Sequence, residues 1–568
     1  MDTILARSPT ARVRLHREPD RAQAQRRFDD LFRRREPYMK WWKEIRDFEL
    51  PFHGEFEESK AQLKTRKIYN PTARDAAGVF AGGVMSGLTP PSRQWFKLAL
   101  SRDVDDRTAA LVLDSRQEIM QAVLARSNFY HAVYNCYCDL PFGQAPLGIF
   151  STADGVHFVH YPIGSYALGT NAQGEVDVFA RKVKMTARQI TEAFGEEACP
   201  RAVQEAAKKN TDTKFTVCWL LEPNDAQAPG RRGARSMPYR SLYWVDGARG
   251  YLAVGGMEEW AVPVARYQTV GLEPYAKGAG WYALDDSKML QVMEEDVLLA
   301  IEMGVKPPMQ TSATAAHGLN LFPGGVTVNA QPDAVKPLFD VRMDVEHVQA
   351  KIGQVEQRIR RAYAADLFLM LDQIERGQMT AREIMERTQE KLQQLGPVVE
   401  RLQYEFLNKT LERVYGLLDR GGVFPPLPDD LREELADAEV RIEYISPLAQ
   451  AQKMSGLVNI EQTLSFAGQL AQLYPEVLTK IDPMGTLDAY HDSIGAPAVM
   501  LRSTEEAQEM LAQQAEQQAA AQEQEMAMAE MQQAAPLAQA AKNLTDAAND
   551  GNPAIREWLG MPNAGGGV

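Results

Sequence analysis

Apolar positions along the chain follow two rhythms. Spacings of three and four dominate both ends, and alternation in twos dominates the middle. Between residues 20 and 50, Phe28, Leu31, Phe32, Trp41, Trp42, Ile45 and Phe48 make one stripe, which predicts a helix that Pro37 should kink or restart. A second helix is expected over 105–127, and the next ends near Leu140-Pro141-Phe142-Gly143. Short β-rich runs follow at 156–161, 165–169 and 176–185, separated by Pro162-Ile163-Gly164 and Asn171-Ala172-Gln173-Gly174. Further strands are expected near 215–221, 241–245, 251–254 and 262–267. Thr186 with Gln189 forms a capping box for a short helix between them. Residues 50–280 therefore read as a mixed α+β body.

The helical rhythm returns at Asp285-Asp286-Ser287, expected to cap a helix running to about Met303 with a solvated acidic face of Glu294, Glu295 and Asp296. Pro307-Pro308 ends it, and a non-helical insert to residue 341 carries five prolines. Val345, Val348, Ile352, Val355 and Ile359 are then spaced 3, 4, 3, 4, a heptad-like stripe expected to pack on a neighbouring helix. Thr380 with Glu383 makes a second capping box, opening a helical region that restarts at Gly396-Pro397 and stops at Gly421-Gly422. Beyond residue 447 the chain is helical and then biased in composition. Residues 503–545 read either as a helix of low core content, able to pair with copies of itself, or as disorder. A glycine-rich tail, 564–568, closes the chain.

The most informative segment is 68–98. Asn70 suits an N-cap and Pro71 the first helical position, where its missing N–H costs nothing. Gly78, Gly82, Gly83 and Gly87 recur along the helix, each costing about 1 kcal/mol, which implies a close backbone approach to a neighbour. Thr89-Pro90-Pro91 ends the helix before the Trp95-Phe96 pair. No Gly-Lys-Ser/Thr follows, so the glycines are not a nucleotide-binding P-loop.

This run, from Met85 through Gly87, Pro90, Pro91 and Arg93 to the aromatic pair, resembles the signature of the portal, or head-to-tail connector, proteins of short-tailed bacteriophages. Phe142–Gly148, Pro323-Gly324-Gly325, Arg360–Phe368, Met379–Ile384 and Ser446–Lys453 agree in the family's order, although Gln144 stands where that family has a small hydroxyl residue and Pro146 is an addition. The resemblance implies an α+β portal-type fold: an Arg-rich helical arm over 1–50, an α+β wing over 51–284, and stem helices over 285–305 and 344–368. They bracket a clip insert over 306–343. A tunnel loop over 369–379, wing helices and a return to the body over 380–446, and a mainly helical crown and tail over 447–568 complete it. It marks Gly83, Ser86, Gly87, Pro90, Pro91, Arg93, Trp95 and Phe96 as structural signature residues, and Gln373 and Arg376 as side chains of the tunnel loop that meet DNA. It further implies a ring of about twelve copies at one capsid vertex of the virion, assembled in the host cytoplasm, through which double-stranded DNA is packaged and ejected. Its partners would be the major capsid protein and scaffold, the large terminase, and then a tail adaptor.

Composition narrows the alternatives. With 568 residues the chain can hold several domain-sized units. A formal charge of −14 argues against a conventional basic DNA-binding face, yet suits a conduit, because phosphate-gripping cations would tighten binding by counterion release. The charge is uneven: residues 1–35 hold ten arginines against five acidic residues. Cys136, Cys138, Cys199 and Cys218 lack a zinc-site spacing and read as buried or incidental thiols. His157 and His160, three apart on a strand, point to opposite faces and do not make one metal site. No cofactor is expected, and no apolar run approaches the ~20 residues of a membrane span. The competing readings are an α+β hydrolase, for which no Gly-x-Ser-x-Gly elbow or His-Glu-x-x-His is present, and a coiled-coil scaffold, which leaves the α+β body unexplained.

Overall fold

The computed structural model describes residues 20–56, 68–100, 107–153, 155–209, 212–224, 237–306, 309–311, 335–337, 345–369, 395–426 and 440–446, with separate stretches between 463 and 560. It is a mixed helix-and-strand protein. Helix α1 (Arg21–Phe48) starts at Asp20, whose side chain accepts from the Ala22 N–H at 3.0 Å. Pro37 lies inside this one continuous helix, so the chain does not restart there. A proline in a helix interior costs ~3 kcal/mol. Phe28 and Leu31 before it, and Met39, Trp42 and Ile45 after it, are all buried, and at ~1.5–3 kcal/mol each this packing outweighs the defect.

Helix α2 (Thr72–Leu88) is counted from two residues beyond Asn70. The Asn70 Oδ1 still closes the first turn, accepting from the Thr72 N–H at 3.0 Å and its hydroxyl at 2.7 Å. Helices α3 (Arg107–Arg126) and α4 (Phe129–Asp139) follow strand β1 (Phe96–Leu100). A three-stranded sheet comes next, ordered β3-β2-β9 from β2 (Gln144–Thr152), β3 (Gly155–His160) and β9 (Val264–Arg266). β2 escaped the pattern reading because its first six residues are all buried, so no alternation shows there. Gly143, just before it, holds φ +122°, and a Cβ there would sit 1.9 Å from the Ala276 carbonyl oxygen. The neighbouring Gln144 receives the Ala276 N–H on its side-chain oxygen at 3.0 Å, which accounts for an amide at this position.

The five-stranded antiparallel sheet runs in sequence order: β4 (Tyr166–Thr170), β5 (Val176–Thr186), β6 (Lys214–Pro223), β7 (Tyr239–Val245) and β8 (Ala253–Met257). Period-two alternation sorts its side chains. Cys218, Leu220, Leu242 and Trp244 pack with Phe28 and Leu31 of α1. Val217 and Val245 pack instead with Ile190 of α5 (Ala187–Phe194) and Val203 of α6 (Arg201–Lys208). The Thr186 capping box is present with both its hydrogen bonds, 3.3 Å and 2.9 Å.

Helix α7 spans Ala279–Val305, opening six residues before the expected cap, so Asp285, Asp286 and Ser287 lie within it. Close packing sets that start: a Cβ on Gly278 would meet the Leu140 carbonyl oxygen at 2.1 Å, and the Trp281 indole donates to the Phe142 carbonyl at 2.8 Å. A small antiparallel ladder of β10 (Met309–Thr311) and β11 (Val335–Pro337) precedes α8 (Val345–Ala362). Strand β12 (Val440–Tyr444) then pairs antiparallel with β1, joining the far ends of this unit. Residues 1–458 and 459–568 form separate compact units; the described part of the second includes helix at 463–471 and a 3₁₀ turn, Pro475–Lys480. Among the described residues no helix is long and apolar enough to cross a membrane.

Candidate functional site: the paired helices and their socket

Ser287, Gln291 and Glu294 are spaced four and three along α7 and share one face. Each meets a polar group of the body. Glu49, closing α1, is fully buried; its carboxyl bonds the Ser287 hydroxyl at 2.8 Å and the Tyr363 hydroxyl at 2.6 Å, the latter just past α8. One turn on, the Gln291 side-chain oxygen accepts the N–H groups of Tyr69 (2.6 Å) and Asn70 (2.9 Å), and its amide returns a bond to the Asn70 carbonyl at 2.9 Å. The Asn70 amide then donates to Glu294 and Glu356, both at 2.8 Å, while its oxygen caps α2. A single polar ladder thus ties α1, α2, α7 and α8 together. Glu294, read from sequence as part of a solvated face, is turned inward here because Asn70 offers it a donor.

Burial pushes the Glu49 carboxyl up to about 8, with the bonds from Tyr363 and Ser287 and the charge of Lys288 opposing the rise. Lys288 itself pairs with Glu44 at 2.6 Å. A value near 8 favours the protonated carboxyl at neutral pH, and a hydroxyl meets each of its oxygens. This avoids an unpaired charge inside the joint.

Two buried charged groups make further ties within the body. Asp139 binds His160 at 3.0 Å, His53 at 3.3 Å and the Ile163 N–H at 3.0 Å. Burial opposes its ionisation, but the bonds from His160 and His53 outweigh that and hold its carboxyl well below the usual range. Arg266 meets Glu405 through two bonds, 2.6 and 2.8 Å, where Glu405 lies in a π-helical stretch, Leu402–Asn408. His160 thus serves a structural hydrogen bond to a buried carboxylate, and Cys136, Cys138, Cys199 and Cys218 are free thiols. Among the described residues no group of three or more His, Cys, Asp or Glu is placed to hold a metal.

The positions singled out by resemblance divide as follows. Gly83 lies under Phe368: a Cβ would fall 2.1 Å from its ring, so α2 and the segment after α8 touch there. Gly78 and Gly82 face open space, so for these two the expected close approach is not made within this chain. The Ser86 hydroxyl bonds back to the Gly82 carbonyl at 2.9 Å, and Gly87 and Pro90 are buried while Pro91 and Arg93 are exposed. Trp95 and Phe96 are fully buried, with Trp95 stacked at 6.1 Å on Phe129 and 6.4 Å on Tyr444. Gln373 and Arg376 lie outside the described residues.

Burial changes sharply along α7. Its inner face is buried from Ala279 to Gln291. Beyond that, Val292, Leu298, Leu299, Ile301 and Val305 are exposed. On α8, Val355 and Ile359 are buried, and Val348 and Ile352 are half-buried. The pair is therefore rooted at one end and less covered at the end nearest the 306–344 insert. No sequence signal separated these halves, because the apolar pattern is the same in both.

A family model described as bacteriophage head to tail connecting protein matches residues 21–501. The chain is 32% identical over 515 residues to the portal protein of Salmonella phage epsilon15, covering 88% of this chain and 92% of that one. It is 31% identical over 508 residues to the probable portal protein of Bordetella phage BPP-1, covering 87% and 91%.

Proposed function

Because this chain belongs to the bacteriophage head-to-tail connecting protein family, we propose that it forms a ring of about twelve copies at one capsid vertex of a short-tailed phage. In this reading the ring is the channel through which double-stranded DNA enters and leaves the head. The observation that carries the reading is the rooted, antiparallel pair α7/α8: two long helices held in an α+β body by a buried ladder, exposed towards the far end of α7, and separated in sequence by the proline-rich insert. These are the properties a stem and clip require. The segment 369–379 is the tunnel loop, the clip receives the large terminase and later a tail adaptor, and the outer body faces capsid and scaffold. The protein is a structural conduit and not an enzyme; ATP hydrolysis belongs to the terminase.

A net charge of −14 per copy suits a lumen that repels phosphates and keeps the duplex centred. The test is native mass spectrometry of the purified chain with end views by negative stain. A closed ring with a central hole is expected; a species that stays monomeric at high concentration and with scaffold present would remove the reading. Arg376→Glu should then lower DNA packaging or retention while rings still close. Loss of ring closure in that variant would place Arg376 in an interface and end the tunnel-loop assignment.

A further inference from the structure

Helix α8 stops at Ala362, yet its sequence gives no local reason to stop there. Residues 360–368 include three alanines, two arginines and a leucine, and neither glycine nor proline, a composition that favours helix. After two turn residues, Tyr363 and Ala364, the chain is helical again over 365–369. Ala364 holds φ +50°, and among the described residues no other non-glycine residue has a positive φ. L residues rarely adopt that conformation, because the Cβ crowds the backbone. The backbone setting of one residue therefore separates a broken helix from a continuous one.

Helical phase shows what the break achieves. In an uninterrupted α8, residues seven apart would share a line, so Ala365, Leu367 and Phe368 would follow Arg358, Arg360 and Arg361, all exposed. In the broken helix the three are buried, and Phe368 lies on Gly83. On the other side of the break, fully buried Tyr363 bonds the Glu49 carboxyl at 2.6 Å. Glu49 faces Ser287, the backbone at Gly280 and the charge of Lys288 from α7, and Tyr363, itself near Tyr267, from the end of α8. Lys288 is already paired with Glu44. Among the described residues the bonds to the Glu49 carboxyl come from two hydroxyls and from no cation. A neutral carboxyl suits this site, whereas an anion there lacks a counter-charge.

We propose that Glu49, Tyr363 and Ala364 form a proton-released catch. With the proton on Glu49, the Tyr363 hydroxyl is held and the break at Ala364 persists. Loss of that proton to solvent draws the carboxylate towards water and frees Tyr363. Residues 363–369 then swing about Ala364 before the rest of the body opens. The catch sets the direction in which the chain enters residues 370–379. What that direction serves rests on the reading above, in which the segment is the tunnel loop; the catch itself does not need the ring.

The test uses the full chain with Ala365→Cys, a small change at a position 2% exposed. Alkylation of the introduced thiol is followed by mass spectrometry beside that of buried Cys136, each divided by the rate in the unfolded chain at the same pH. Opening exchanges a carboxyl of about 8 for one near 4.5. The corrected rate at the introduced thiol should therefore climb by up to about tenfold per pH unit from about 5.5 to 8 and level off above, while Cys136 stays far slower. Adding Glu49→Gln should remove the climb. Separately, Ala364→Gly should raise the thermal midpoint, whereas glycine at an ordinary helical site lowers it. A rate that is flat with pH, that moves in step with Cys136, or that climbs equally in Glu49→Gln would overturn the catch, as would a lowered midpoint for Ala364→Gly. Native mass spectra of the unaltered chain decide the ring independently of all these results.

Discussion

The two halves of α7, Ala279 to Gln291 and Val292 to Val305, differ in how much of each the body covers. In the half from Ala279 to Gln291, polar side chains are met by the body: Ser287 by Glu49, and Gln291 by the backbone at Asn70. In the half from Val292 to Val305, the side chains of Val292, Leu298, Leu299, Ile301 and Val305 stand in solvent. The first half obeys the requirement that buried polar groups be hydrogen-bonded. The second breaks the expectation that long apolar stripes be covered. One helix thus carries a covered face and an exposed apolar face, and the cover thins beyond Gln291, although Glu294 still meets the Asn70 amide.

The sharpest way to break this contrast uses two positions two residues apart. Leu290 is fully buried, and Leu290→Asp should place an unpaired charge in the core at a cost of ~4 kcal/mol or more; little soluble, folded chain is expected by thermal melt. A smaller but clear loss is expected for Asn70→Ala, which removes the α2 cap and the shared donor of Glu294 and Glu356. About 2–3 kcal/mol should be lost, seen as a lower midpoint in urea with an unchanged slope.

Glu49 supplies a pH test of the rooted half. Its folded-state value is raised from 4.5 to about 8, so the folded chain binds more protons than the unfolded chain between those values. Stability from this group is therefore full below about 4.5 and is lost as pH rises towards 8 and beyond. Thermal midpoints should fall across that window, and Glu49→Gln, which keeps the shape and hydrogen bonding of the protonated acid, should flatten the fall. An equal fall in the variant would show that Glu49 does not control it. The smallest effect on the isolated chain is expected at Val292→Asp, within ~0.5 kcal/mol of the unaltered protein. Closed rings should nevertheless be lost, and a variant that still assembles would contradict the division of α7 into two surfaces.

Much of this was legible in the chain. The capping box at Thr186 and Gln189 needs only four consecutive residues, and it formed. The strands of the five-stranded sheet were visible through their alternation, because helices cover the two sides differently and each strand sorts its side chains between them. The heptad stripe of α8 was legible because its period alone declares a packing face, and Val355 and Ile359 are buried as that stripe requires. The α2 glycines were legible as unusual, but only contact with Phe368 distinguishes Gly83 from Gly78 and Gly82. The pairing of β1 with β12 carried no local mark, since each strand is short and its partner lies near the other end of the unit.

By itself the sequence determined the elements whose causes are local: caps, turns, alternation and helical period, together with the family to which the whole pattern belongs. Tertiary structure alone decided what depends on a partner brought from far along the chain. It let α1 run through Pro37, because burial on both sides outweighs one missing hydrogen bond. It began α7 at Ala279, because backbone packs closely at Gly278. It pushed the Glu49 carboxyl upward and turned Glu294 towards Asn70, because a carboxyl takes its charge and direction from the groups around it, and no spacing along the chain encodes those groups.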